Sequence, residues 1–278
     1  MTNLSTVTSA DGTTIAYEVH GTGRSLVVVG GALCDRDRLR DTALALAAHA
    51  TVVTYDRRGR GASGDAPGGP RAGAGGSAAA LAREVEDLAA LVAAVSPGGA
   101  PVAVYGHSSG AALALHAAAA GVPVSRLLLH EPPFGPDTEE QRRAAADYVA
   151  GLDAALDEGR NKAAVALFLR VTGLPAEVVD GMRGEPWFAA MAAMAPSLRY
   201  DSAAMGDRDG GTVPRDVAGR VAAPTLVRVG GRSPDVMLAS ARSLVAALPA
   251  GRLRVLDGEE HVVPPERLAP VVGAFLAS

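Results

Sequence analysis

A chain of 278 residues is long for one ordinary domain but within reach of a single enlarged α/β domain. It is 48% hydrophobic and only 4% aromatic, so alanine, valine and leucine must supply the core, as suits helices packed on a buried sheet. The net charge of −4 leaves no basic field for nucleic acid, and the single cysteine, Cys34, rules out an internal disulfide or a cysteine-built metal centre. No apolar run reaches the ~20 residues of a membrane span. The opening MTNLSTVTSADGTT has neither the basic start nor the apolar core of a secretory signal. Together these features point to a soluble cytoplasmic protein that handles a small-molecule substrate in a pocket, with neither nucleic acid nor membrane as partner.

In chain order, STVTSADGTTIAYEVHG reads as two strands joined at Asp11-Gly12, since Asp-Gly between β-prone runs is a hairpin signal. SLVVVGG (25–31) is a nearly continuous β-branched run, expected of a strand buried on both faces. DRLRDTALALAAHA has helical spacing, and TVVTYD (51–56) is a second buried strand. Residues 57–77, rich in Gly, Pro and Ser, read as a long solvated surface loop. AAALAREVEDLAALVAAV is helical, PVAVYG a strand, SGAALALHAAAAG a helix and SRLLLHEP a strand. Such alternation predicts a mostly parallel sheet with helices on both faces.

The alternation stops at Pro132. Residues 133–206 show only helical patterns broken by Gly and Pro: EEQRRAAADYVAGLDAAL, NKAAVALFLRVTG, PAEVVDGM and EPWFAAMAAM. Strand and helix resume with APTLVRVGG, PDVMLASARSLVAALP, GRLRVLDG and PPERLAPVVGAFLA. The expected architecture is one doubly wound α/β core, residues 1–132 and 207–278, with an all-helical insertion at 133–206.

Chemistry concentrates in AVYGHSSGAAL (103–113), where a strand meets Gly-x-Ser-x-Gly and leads into an alanine-rich helix. That arrangement exposes Ser108 at the tip of a sharp turn, with Gly106 and Gly110 relieving the crowding two residues away. A plain alternative is a serine capping the helix that starts near Ser109. A serine nucleophile needs a base near neutral pH that can return the proton, and imidazole meets that need. His20, His49, His116, His130 and His261 compete; His107, beside the serine, points elsewhere in such a turn and reads as pocket wall.

The segments VVVGGALCD, TYDRRGRGASGD, YGHSSG and GEEHVVPPE resemble the α/β-hydrolase fold family over almost the whole chain, with the insertion in the place of that family's helical cap. The second segment carries Asp-x-Arg-Gly-x-Gly-x-Ser, a frequent companion of the nucleophile turn there. The resemblance implies His261 as base, since the family carries its base in the loop after the last strand. It implies oxyanion donors at the backbone N–H groups of Ser109 and Ala32, although Gly30 stands where the family usually has histidine. The family commonly places its acid in Gly-x-x-Asp after the strand matching PTLVRVGG; here that place holds Ser233, with Asp235 two residues on. Haloalkane dehalogenases and some lactone hydrolases of this fold carry the acid at the end of the strand matching SRLLLHEP, where this chain has Glu131. A glutamate closing an apolar buried strand is costly unless paired, which favours Glu131 over Asp235.

Trp187, Met191 and Met194 fall at helical spacing, either roofing the pocket or simply packing a helix. The expected activity is hydrolysis of a small or medium apolar ester, lactone or thioester through Ser108, His261 and Glu131, with no metal and no cofactor. A perhydrolase would use the same three residues, and a non-catalytic member of the fold would bind a small ligand without turnover.

Overall fold

The computed structural model of the chain describes residues 4–67, 69–70 and 73–278. Residues 1–3 of the opening segment, and Gly68, Arg71 and Ala72 of the expected loop, lie outside them.

Strands β1 (Ser5–Thr8), β2 (Thr14–His20), β3 (Ser25–Val29), β4 (Thr51–Tyr55), β5 (Val102–His107), β6 (Val124–His130), β7 (Thr225–Gly230) and β8 (Gly251–Leu256) form one sheet, ordered β1-β2-β4-β3-β5-β6-β7-β8. β1 pairs with β2, and β2 with β4, antiparallel; all the other pairings are parallel. The helices in order are α1 (Arg40–Leu46), α2 (Ala74–Val95), α3 (Ser109–Ala119), α4 (Glu139–Asp157), α5 (Asn161–Val171), α6 (Ala176–Met182), α7 (Pro186–Ala193), α8 (Leu198–Met205), α9 (Arg215–Ala218), α10 (Asp235–Ala247) and α11 (Pro265–Ala277).

Alternate residues of the central strands feed two cores. Val27, Val29, Val53 and Val104 face α2, α3 and α10, whereas Leu26, Val28, Val52 and Tyr105 face α1 and α11. Burial on both faces is why these strands read as continuous apolar runs. α3 is buried along nearly its full length, and its alanines let it lie close against β5 and β6 with α8 on its other side. Between β6 and β7 the regular elements are all helices apart from one isolated bridge, Gly135 to Thr212. α4, α5 and α7 hold a third cluster that includes Tyr148, Leu152, Val165, Phe188 and Leu33, the last contributed by the loop after β3.

Two expectations for residues 57–77 need correction. α2 begins at Ala74, so the loop is shorter than its composition implies. Its first residues are also not solvated: Arg57, Arg58 and Arg60 are each at most 1% exposed, because each guanidinium finds buried carboxylates.

From β3 the chain passes outward to β4 and then returns across β3 to β5. The carboxyl ends of β3 and β5 therefore flank the point where strand order reverses, which is where open α/β sheets bind ligands.

Candidate active site

The parallel strands deliver the singled-out residues to one edge. Ser108 follows β5, Glu131 follows β6, Ser233 lies just past β7 and His261 sits in the loop after β8. His20 and His49, by contrast, lie at the opposite edge beside the start of β4, and His116 is on α3.

Ser108 adopts φ 56° and ψ −127° between strand and helix, a conformation most side chains avoid. Packing enforces it. A Cβ on Gly106 would lie 2.5 Å from the Gly110 carbonyl oxygen, and one on Gly110 would lie 2.5 Å from that of Gly30. Among the described residues only three non-glycines have positive φ: Ser108, Glu131 and Leu33. All three belong to the carboxyl edge, and strain of this kind gathers at functional sites.

His261 Nδ1 lies 2.6 Å from Glu131 Oε2. Glu131 Oε1 accepts the Gly230 N–H and the Ser233 hydroxyl, each at 2.6 Å. Burial alone would raise the Glu131 pKa; the hydrogen bonds from His261, Ser233 and Gly230 outweigh it and hold the carboxyl below its ordinary value. An Nδ1–H donated to the carboxylate leaves Nε2 as the ring nitrogen available for proton exchange. Asp235 is exposed on the first turn of α10 and takes no part in this set.

His261 stands beside the serine's neighbour. The His261 ring centroid is 4.7 Å from that of His107, whose Nε2 donates to the His261 carbonyl oxygen at 3.1 Å. The His107 ring in turn lies 4.8 Å from that of His130. Burial, then the adjacent His261, pushes the His107 pKa down to about 4, so this residue braces the histidine loop as a neutral donor. Behind it, His130 Nδ1 meets the Tyr105 hydroxyl at 2.9 Å, and the buried Arg228 approaches its Nε2 at 3.4 Å. Of these inner groups, Tyr105 and Arg228 were not singled out from sequence; each sits on an otherwise apolar strand, which was the available signal.

The loop after β3 brings Gly31 against the serine: a Cβ there would lie 3.0 Å from that of Ser108. Among the described residues neither the Ala32 nor the Ser109 N–H has an acceptor. Ser109 opens α3, so its N–H also belongs to the positive end of a helix. Asp56, the first residue of the Asp-x-Arg-Gly-x-Gly-x-Ser run, accepts the Arg36 and Ala62 N–H groups and pairs with the Arg36 guanidinium. That motif thus anchors the same loop. Met191 and Met194 pack into the cluster that contains Ala32 and Leu33; Trp187 does not, and stands 42% exposed against Phe188. No group of three or more His, Cys, Asp or Glu among the described residues is arranged to hold a metal ion.

A family model described as alpha/beta hydrolase family matches residues 19–274, and the chain belongs to that family. It is 43% identical to an alpha/beta hydrolase from Sphaerobacter thermophilus DSM 20745, with a TM-score of 0.84 over 98% of this chain and 100% of the other. A thermophilic esterase from Thermogutta terrifontis shares 22% identity and a TM-score of 0.71 over 99% and 98% of the two chains. An enol-lactonase from Burkholderia xenovorans LB400 shares 21% and 0.68 over 99% and 100%. At such identities the last two speak to the fold alone. No curated protein matches the sequence.

Proposed function

We propose that the protein is a serine hydrolase of small or medium apolar esters, lactones or thioesters, working without a cofactor. Ser108 Oγ attacks the carbonyl carbon as its proton passes to His261 Nε2. The carbonyl oxygen becomes an oxyanion between the Ala32 and Ser109 N–H groups, and Glu131 balances the imidazolium. When the tetrahedral adduct collapses, the alcohol or thiol leaves with the proton from His261. Water then gives a proton to His261 and attacks the acyl-serine; as the second adduct collapses, the bond to Ser108 Oγ breaks, Oγ takes the proton back from His261, and the acid leaves.

The observation that carries this reading is the 2.6 Å contact between His261 Nδ1 and Glu131 Oε2, at the edge where Ser108 holds its strained turn. Imidazole oriented by a buried carboxylate has the tautomer and the charge partner that proton transfer from serine needs. The apolar cluster of Leu33, Met191 and Met194 beside the oxyanion loop favours an apolar acyl group. The esterase and enol-lactonase among the similar structures fit the same bond types.

Hydrolysis of a panel of p-nitrophenyl esters, lactones and acyl thioesters tests the proposal. Ser108→Ala should lower kcat on the best substrate by about 10³–10⁶ with the fold intact. Wild-type turnover in that variant would overturn it.

A further inference from the structure

Arginines fill two of the three unspecified positions of Asp-x-Arg-Gly-x-Gly-x-Ser, and both, Arg57 and Arg60, are tied to the candidate oxyanion loop. Arg60 Nη1 donates to the Gly31 carbonyl oxygen at 2.7 Å and to that of Cys34 at 3.3 Å. Arg57 Nη1 donates to the Gly30 oxygen at 3.2 Å. A peptide unit is planar and trans, so its C=O and N–H point in opposite directions. Drawing the Gly31 carbonyl onto Arg60 therefore turns the Ala32 N–H the other way, and Gly31 lies against Ser108.

Both guanidiniums converge on one carboxylate. Asp201 Oδ1 accepts from Arg57 and Oδ2 from Arg60, each at 2.7 Å. Asp201 Oδ1 also accepts the Ser109 hydroxyl at 2.7 Å. All three charged groups are at most 1% exposed. Arg57 has a second anion in Glu84; among the described residues Arg60 has Asp201 alone, its Nε being spent on the Ser197 hydroxyl. Asp201 lies on α8, past the helices that follow β6, and α8 packs against α2 and α3.

We propose that Asp201 and Arg60 are positioning residues for the oxyanion donors: one buried carboxylate fixes the Ala32 N–H through Arg60 and the Gly31 carbonyl, and fixes Ser109 through its hydroxyl. The proposal rests on the serine-hydrolase reading above. It makes the helical segment before β7 a structural partner in transition-state stabilisation, because the carboxylate that sets both donors comes from its last long helix. A ground-state ester would be bound with little dependence on that alignment; a tetrahedral adduct would depend on it strongly.

The test compares Arg60→Lys, Asp201→Asn and Ser109→Ala with wild type in kcat, KM, thermal midpoint and the Ki of an alkylboronic acid, which forms a tetrahedral adduct on a serine nucleophile. Arg60→Lys and Asp201→Asn should lower kcat by about 10–100-fold, less than the complete loss of an oxyanion donor. The boronate Ki should rise in parallel, while KM stays within about twofold. Ser109→Ala keeps the backbone N–H and removes only its tie, so it carries the test if the charge variants do not fold; it should shift kcat and Ki together by a few-fold. Variants with a lower midpoint but wild-type kcat and Ki would overturn the proposal and leave the network a structural one. A wild-type protein that neither turns over esters nor binds the boronate would instead refute the hydrolase reading itself.

Discussion

The hydroxyl of Ser233 donates to Glu131 Oε1 at 2.6 Å, while His261 takes the other carboxylate oxygen. The position where the family commonly has its acid thus supports a carboxylate from the neighbouring strand. Glu131→Gln should cost about 10²–10⁴ in kcat by loosening the imidazole tautomer and removing its charge partner. Asp235→Asn, in an exposed first turn, should stay within about twofold. Adding Ser233→Asp to Glu131→Gln should recover part of the loss, since the Ser233 oxygen already lies within hydrogen-bond reach of the carboxylate site. Steady-state kinetics on the three variants decide the ranking, and a greater loss in Asp235→Asn would move the acid.

Asp207 should respond to mutation in the opposite sense. Burial raises its carboxyl pKa to about 7, the Ser202 hydrogen bond only partly opposes this, and Oδ2 has no partner among the described residues. A raised carboxyl pKa means stability that is present below the unfolded value and lost as pH rises through the folded one. Asp207→Asn should therefore raise the thermal midpoint at pH 8 and give little gain at pH 4. An equal effect at both pH values would contradict the assignment.

Acid stability should follow the buried histidines. Burial lowers the pKa of His107, His116 and His130 from the ordinary 6.5, His107 to about 4. Below 6.5 the unfolded chain holds protons that the folded chain refuses, so stability is intact above that pH and is lost as pH falls toward 4. Each excess proton contributes a slope of about 1.4 kcal/mol per pH unit. Urea unfolding at pH 7, 6 and 5 should show this decline, and His116→Gln, on α3, should remove one share of it. A flat profile would be inconsistent with neutral buried imidazoles.

On α7 two adjacent aromatics should separate. Phe188 is fully buried in the helical cluster, so Phe188→Ala should cost about 3–5 kcal/mol. Trp187 is 42% exposed, and Trp187→Ala should change stability by less than about 1 kcal/mol. If Trp187 meets the substrate, its loss should raise KM for longer acyl chains. Thermal midpoints and a chain-length series on the two variants distinguish packing from substrate contact.

The sheet was legible because its central strands are buried on both faces, which leaves long β-branched runs with few other readings. Ser108 was legible from its flanking glycines, and Glu131 from the cost of a carboxylate closing an apolar strand. Arg57 and Arg60 were not, because their Gly-, Pro- and Ser-rich setting resembles a surface loop. Their partners lie far along the chain, Glu84 at 27 and Asp201 at 144 residues from Arg57. α8 escaped notice for a related reason: it buries Asp201 and Ser202, so its polar residues occupy the face where apolar ones are sought. Long-range pairing of buried charge leaves no local periodicity.

The most direct test of the proposed chemistry is fluorophosphonate labelling, with the adduct located by peptide mass spectrometry. A single adduct on Ser108 is expected, absent from Ser108→Ala and formed much more slowly in His261→Ala and Glu131→Gln. An adduct on another residue, or labelling of Ser108→Ala at the wild-type rate, would contradict Ser108 as nucleophile.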